Sequence, residues 1–314
     1  MPSLSQLQYI VAVDRTGHFG RAAASCGVSQ PTLSTQIAKA EQELGAVLFD
    51  RRCTPVMATE AGGRLIAMAR EVVSAHTRLI AAAEDAHPLS GAFSLGVIPT
   101  LASTVLPWFL PAFAEACPEV QLTVLERTTE DIVHDLLEMR LDAGLLATPV
   151  GEPGLANRVV FYDPFYVYAN ESSPLLARDS ISLPDIEHGD LWLLEDGHCF
   201  RNQVVHLCGL HRRDVLRNVL FEAGSFDTLR ALIDQAGGHT LIPETYVRTL
   251  PRSVQLAQVR AFDGAEPTRE VGVVSQRRHW KSELLDAVAG ILRVKAPRCL
   301  PREPGAGLVL PIEG

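Results

Sequence analysis

Two cysteines nine positions apart, Cys199 and Cys208, form a pattern in this 314-residue chain that asks for a reactive thiol and a second thiol. His198 stands directly before the first and Arg201 two residues after it. Gly197-His198 ahead of the run predicts that Cys199 opens a helix covering Phe200 to Cys208. A helix N-terminus carries partial positive charge, which favours a thiolate, and His198 and Arg201 add to that field. A thiolate attacks a peroxide oxygen and leaves a sulfenic acid, the first step of thiol oxidation. The pattern therefore points to an oxidant sensor. Cys208 adds a geometric condition. Nine residues of α-helix turn ~900° and rise ~13.5 Å, so the two thiols face opposite ways. A disulfide needs Cα atoms within roughly 7 Å, so any bond between them requires the helix to unwind. Burial as a small apolar side chain is the competing role for both cysteines, for Cys208 above all, since Leu207 adjoins it.

The rest of the chain must position this segment. With 47% hydrophobic residues, it can build two or three domains with cores of their own. The net charge of -9 argues against wholesale coating of nucleic acid, though a local reading module remains compatible with it. The first residues lack the basic-then-apolar pattern of a secretory signal, and no apolar run approaches the ~20 residues that span a bilayer. Six cysteines without such a signal do not read as a disulfide framework. The expected compartment is the reducing cytoplasm, where disulfides are transient or regulatory.

The first ~60 residues read as a compact helical module. Leu4, Leu7, Ile10, Val11 and Val13 have helical spacing, and Phe19 to Cys26 is Ala-rich. Gly27-Val28 makes a tight turn, and Ser29 is a helix N-cap with Pro31 in the first turn. Leu33, Ile37, Ala40 and Leu44 give a second helix one apolar face, ended by Gly45. Its other face carries Pro31, Thr32, Ser34, Thr35, Ala38, Lys39 and Gln42. This is the pattern of a helix-turn-helix whose small polar face enters a major groove. Leu48-Phe49 and Val56-Met57 are expected to pair as a wing with Arg51 and Arg52 at its tip, where they meet phosphates or a narrow minor groove. Gln30 is placed to reach a base edge. The competing reading is a small helical domain with a solvated face, and the near balance of acidic and basic residues here favours it.

A long amphipathic helix follows from Thr59 to about Asp85, a connector or dimerisation helix. Beyond residue 91 strands and helices alternate: Phe93–Val97, Leu101–Ala116, Val120–Glu126, Thr129–Arg140 and Asp142–Ala147. That βαβαβ order predicts a mostly parallel sheet with ligand chemistry at the strand C-termini. Phe161–Ala169 is read as a crossing strand into a second lobe. That lobe holds Leu191–Leu194, the cysteine segment, Val219–Glu222, Ser225–Gln235 and His239–Ile242. Glu270–Ser275 and a helix over Lys281–Val294 return to the first lobe. The Pro/Gly-rich tail 297–314 is expected to be poorly ordered.

Leu7-Gln8-Tyr9-Ile10, His18 to Ala23, Val28 to Ser34, Leu44-Gly45, Leu48-Phe49, Arg51 and Thr59-Glu60-Ala61-Gly62 resemble the winged helix-turn-helix of LysR-type transcriptional regulators. The resemblance implies a winged helix-turn-helix over 1–58, a dimerisation linker helix over 59–90 and an α/β effector domain over 91–300. That domain is like a two-lobed periplasmic binding protein, with lobe I about 91–162 and 268–296 and lobe II about 163–267. It further implies that Gln30, Pro31, Thr32, Ser34 and Thr35 meet bases and that Arg51 meets the backbone or minor groove of promoter DNA.

Leu193 to Arg201 with Cys208, Ile98-Pro99-Thr100 and Thr129 resemble the OxyR branch of this family, whose members sense hydrogen peroxide. The resemblance implies that Cys199 is peroxidatic, that Cys208 resolves it as a reversible disulfide, and that Thr100, Thr129 and His198 shape the peroxide pocket. Capping the helices that follow is a compatible role for the two threonines. Asn202 stands where an acidic residue is expected, Phe200 replaces an aliphatic, and the segment after Cys208 and the C-terminal tail depart from that branch. The implied protein is a regulator and no enzyme. Its implied partners are RNA polymerase and further copies of itself as dimers and tetramers, with no membrane, cofactor or metal. His76, His87, His206 and His211 have no metal-building spacing. Cys26, Cys117 and Cys299 read as structural, and Cys53 lies on the wing. A LysR-type regulator of a small organic effector, or a thiol peroxidase, are the alternatives.

Overall fold

The computed structural model describes residues 1–83, 89–187, 191–194, 199–208, 224–264, 266–304 and 307–310. The chain forms two compact units, Met1–His87 and Pro88–Gly314.

In the first unit α1 (Leu4–Thr16), α2 (Phe19–Ser25) and α3 (Gln30–Leu44) precede a two-strand wing, β1 (Phe49–Asp50) and β2 (Met57–Ala58), and then α4 (Glu60–Ala83). Local signals set each boundary. Ser3 and Gln6 form a reciprocal capping box at the start of α1. Gly17 ends that helix with φ 58°, and a Cβ there would lie 2.9 Å from the Pro55 Cβ, so the wing seats against a bare backbone. The Ser29 hydroxyl caps α3 by accepting from the Thr32 N–H, and Gly45 closes it in the left-handed conformation. Ile10, Val13, Leu33, Ile37, Leu48, Phe49 and Ile66 are the buried core. The wing strands pair antiparallel, Phe49 opposite Ala58. On α4, Ile66 is buried in this core, while Met68, Val72 and Leu79 are 61%, 50% and 66% exposed. The expected single apolar side thus divides into an inward face and an outward stripe.

The second unit begins with β3 (Gly91–Val97), α5 (Pro99–Ala116), β4 (Val120–Glu126), α6 (Thr129–Leu137) and β5 (Ala143–Thr148). A long strand, β6 (Leu155–Ala169), precedes a 3₁₀ turn at Pro174–Ala177, β7 (Ser180–Ile181) and α7 (Leu183–Glu187). Next come α8 (Cys199–Cys208), α9 (Phe226–Ala236), β8 (His239–Pro243), α10 (Glu244–Val247) and α11 (Arg252–Gln258). The chain closes with β9 (Val259–Phe262), β10 (Pro267–Gln276), α12 (Ser282–Lys295) and β11 (Leu308–Val309). The sheet runs β4-β3-β5-β10-β6-β9-β7. The βαβαβ portion is parallel throughout, and β7 and β11 add short parallel pairings to β9 and β10. β10 pairs antiparallel with both β5 and β6, because the two crossing strands traverse the unit in opposite senses. Two apolar clusters define the lobes. Leu95, Val97, Phe109, Leu145, Phe161, Val273 and Val288 belong to the first, and Phe165, Val167, Phe200, Phe226, Ile233 and Leu241 to the second. β6 therefore supplies Phe161 to one core and Phe165 to the other.

The tail departs from expectation. Leu300 and Leu310 are buried, and β11 pairs parallel with β10. Its backbone hydrogen bonds to the start of β10 outweigh the Pro/Gly composition that suggested disorder. The expected strand Val219–Glu222 lies outside the described residues, as do His198, His87 and His211.

Candidate functional site

The residues Cys199–Cys208 form one helix, as expected. A ten-residue helix holds its end Cα atoms ~13.5 Å apart. The two cysteine side chains lie outside the described residues, so their backbone and neighbours define the geometry. Phe200, next to Cys199, is buried among Phe165 and Phe226, with ring centroids 4.7 Å and 5.0 Å away. Phe226 continues this aromatic cluster to Tyr246 at 4.9 Å. This aromatic side chain thus anchors the first turn of α8. Arg201, expected to support a thiolate, donates to the Leu194 carbonyl at 2.9 Å.

Thr100 and Thr129 arise from one sheet edge. β3 and β4 run parallel with Val97 opposite Glu126, and each threonine follows its paired residue by three positions. Neither caps its helix. Ile98 occupies the cap of α5 without a side-chain bond, and the Thr128 hydroxyl caps α6 by accepting from the Asp131 N–H. The capping role proposed for these two side chains is therefore incorrect, since the residue that precedes α6 takes it. Among the described residues the buried Thr129 hydroxyl has no hydrogen-bond partner. A buried hydroxyl without a partner is costly in a folded chain, and it is what a pocket for a small polar ligand presents.

Thr100 is engaged by a residue that sequence inspection missed. Arg269 on β10 donates from Nη1 to the Thr100 hydroxyl at 2.9 Å. The same guanidinium meets Asp163 Oδ2 from Nε at 3.1 Å and from Nη2 at 2.9 Å. Both side chains are 0% exposed. The Thr245 N–H and hydroxyl complete the carboxylate shell at 3.0 Å and 2.8 Å. The Arg269 guanidinium carbon lies 5.4 Å from the Phe200 ring centroid. One buried cation thus joins α5 of the first lobe, both crossing strands, and the first turn of α8. Thr100 and the start of α8 are brought together through Arg269.

In the first unit the expected groove-reading residues occupy the first two turns of α3. Gln30, Pro31, Thr32 and Thr35 are exposed and Ser34 is half-buried. Arg51 folds back from the wing onto this helix, donating to Ser34 Oγ and Glu41 Oε2, each at 3.1 Å, over the Phe19 ring. Glu41 Oε1 also accepts from the Leu48 N–H at 2.8 Å. One carboxylate therefore ties the wing to the helix. Arg52 pairs with Asp50 at 2.8 Å, and that hydrogen bond holds the Asp50 carboxyl well below the usual carboxylate range. Among the described residues no cluster of side chains fits a metal ion. Cys117 is buried, where burial pushes its thiol up, while Cys26 and Cys53 are half-buried and Cys299 is exposed.

A winged helix-turn-helix followed by a two-lobed α/β domain with a buried polar centre is the architecture of a ligand-responsive bacterial regulator. Residues 4–63 match the bacterial regulatory helix-turn-helix proteins of the lysR family, and residues 86–296 match the LysR substrate binding domain. The chain belongs to the LysR family. It is 33% identical over 276 residues to the DNA-binding transcriptional dual regulator OxyR of Escherichia coli K12, covering 87% of this chain and 88% of that protein. It is 34% identical to a probable hydrogen peroxide-inducible genes activator of Streptomyces viridosporus, over 96% of each. Its fold is similar to that of a full-length OxyR variant from Pseudomonas aeruginosa, with TM-score 0.81 and 28% identity over 94% of this chain and 99% of the other. A hydrogen-peroxide-bound OxyR mutant from Corynebacterium glutamicum aligns with TM-score 0.60 at 28% identity, over 94% and 92%.

Proposed function

We propose that this chain is a DNA-binding transcription regulator that senses hydrogen peroxide through a reversible Cys199–Cys208 disulfide and controls oxidative-stress genes. The observation that carries this reading is α8, whose two cysteines end one helix and whose first turn is tied through Arg269 to Thr100. Thr100, Thr129 and His198 shape the peroxide pocket. The Cys199 thiolate attacks one oxygen, the O–O bond breaks, and hydroxide leaves, giving a sulfenic acid. The Cys208 thiolate then attacks that sulfur and displaces hydroxide, which a proton converts to water. The ~13.5 Å separation forbids this second step while α8 is intact, so the bond closes only as the helix unwinds. Oxidation thereby selects a second conformation of the effector domain. The amino end of α8 favours the thiolate, and Arg201 adds to that field.

DNA is read by Gln30, Pro31, Thr32, Ser34 and Thr35 in the major groove, with Arg51 on the backbone or minor groove. The exposed Met68, Val72 and Leu79 stripe supports pairing of two copies along α4, and effector domains pair again into a tetramer. Reorientation of these domains alters DNA contacts and contact with RNA polymerase. No helix among the described residues is long and apolar enough to cross a membrane. We place the protein in the cytoplasm with the nucleoid. Two substitutions test the switch. Cys199→Ser abolishes the peroxide response and retains DNA binding. Cys208→Ser still forms sulfenic acid and switches incompletely. A Cys199→Ser protein that responds normally overturns the assignment.

A further inference from the structure

The C-terminal strand reaches the sensor helix. Leu308 N–H donates to the Glu266 carbonyl at 3.0 Å and Leu310 N–H to the Thr268 carbonyl at 2.9 Å, so β11 lies along the start of β10, beside Arg269. The Leu310 side chain is buried in the same apolar cluster as Phe200 and Val204 of α8. Its carbonyl accepts from Gln203 Nε2 at 3.2 Å, and Gln203 is 0% exposed. Gln203 lies in mid-helix, one turn after Cys199. The tail therefore grips α8 at the turn that must unwind, through one buried hydrogen bond and one buried leucine.

We propose that residues 307–310 are a positioning clasp that holds α8 in its helical form and so opposes disulfide closure. This rests on the thiol-switch reading above. Unwinding α8 moves Gln203 away from Leu310 and leaves a buried carbonyl without its donor, a loss confined to the oxidised state. The clasp is thus a differential contact, which is what shifts a two-state equilibrium. It leaves the first oxidation of Cys199 untouched and resists the second step.

Two variants probe it. One chain ends at Pro304. The other carries Gly307→Val, since a Cβ at this position meets the Glu266 carbonyl oxygen at 2.8 Å and lifts the strand. Equilibration of the dithiol with reduced and oxidised glutathione reads the thiol couple, and amide exchange of the reduced protein reads α8 directly. Both variants shift the equilibrium about tenfold toward the disulfide, a potential ~30 mV more negative. Exchange in Phe200–Leu207 accelerates in the reduced variants while β3 and β5 exchange as before. In a Cys208→Ser background the rate of sulfenic acid formation stays within twofold. An unchanged potential, or unchanged exchange in α8, overturns the clasp. Loss of Cys199 reactivity in the background variant also overturns it, because the tail then builds the site as a whole. A parent chain that forms no Cys199–Cys208 bond refutes the switch itself, and the exchange measurement still decides whether the tail holds α8.

Discussion

Replacing Arg269 with methionine tests the buried centre that joins the lobes. The substitution keeps the length and apolar stem of the side chain and removes its charge. Asp163 is then a carboxylate with 0% exposure and no cation. Breaking a buried ion pair from one side costs about 3–5 kcal/mol, mostly the unpaired charge left behind. The two bonds from Thr245 remain and soften this toward the lower end. Loss of the donor to Thr100 and of the cation over Phe200 adds to it. The sum is about 4 kcal/mol, a fall in Tm of roughly 8–16 °C for a unit of this size. Urea unfolding followed by the fluorescence of Trp108 and Trp192, which pack in different lobes, reads the change. Adding Asp163→Leu to Arg269→Met removes the stranded charge but leaves the Thr245 N–H and hydroxyl without their acceptor, so the double variant recovers part of the loss and costs less than the two single variants together. A single variant that costs under about 1 kcal/mol, or a double variant whose cost is the sum of the two singles, refutes the reasoning.

Three further outcomes follow from particular contacts. Gln30→Ala relaxes sequence preference, each lost base contact being worth about 1–3 kcal/mol, whereas Arg51→Ala weakens binding across sequences and flattens its salt dependence; mobility-shift titrations separate the two. Gly62→Ala unfolds or strongly destabilises the first unit, because its Cβ would lie 2.2 Å from the Leu48 carbonyl oxygen on the backbone beneath α4, and thermal melting checks it. Asp142 has a lowered pKa in the fold: burial raises it, but the His279 hydrogen bond, the Lys281 charge and the Ser94 donors outweigh that. Its contribution is therefore present above about pH 4 and lost as pH falls through the folded value, so Asp142→Asn flattens the acid limb of a stability–pH profile.

Much of this architecture was legible because local chemistry decides it. Ser29, Gly45 and the Leu33–Ile37–Ala40 spacing define α3, and Val97 and Glu126 end strands whose next residues carry Thr100 and Thr129. The centre of the site was not legible, since it is made across distance. Arg269 sits in Thr268-Arg269-Glu270, which reads as an ordinary polar stretch, and its carboxylate partner is 106 residues earlier. Thr245 joins them from a third element. The threonine caps were misassigned because Thr128 and Thr129 are adjacent, and only backbone geometry tells which hydroxyl turns toward the Asp131 N–H. The tail strand was hidden by its composition, because strand pairing uses backbone groups that carry no side-chain signal.

The most direct test of the central claim is to treat the reduced protein with one equivalent of hydrogen peroxide and map its disulfides by mass spectrometry. The account predicts a Cys199–Cys208 link that thiol reductants reverse, forming with loss of amide protection in α8. A peroxide-treated protein without that link, or one that forms it with α8 still fully protected, contradicts the account.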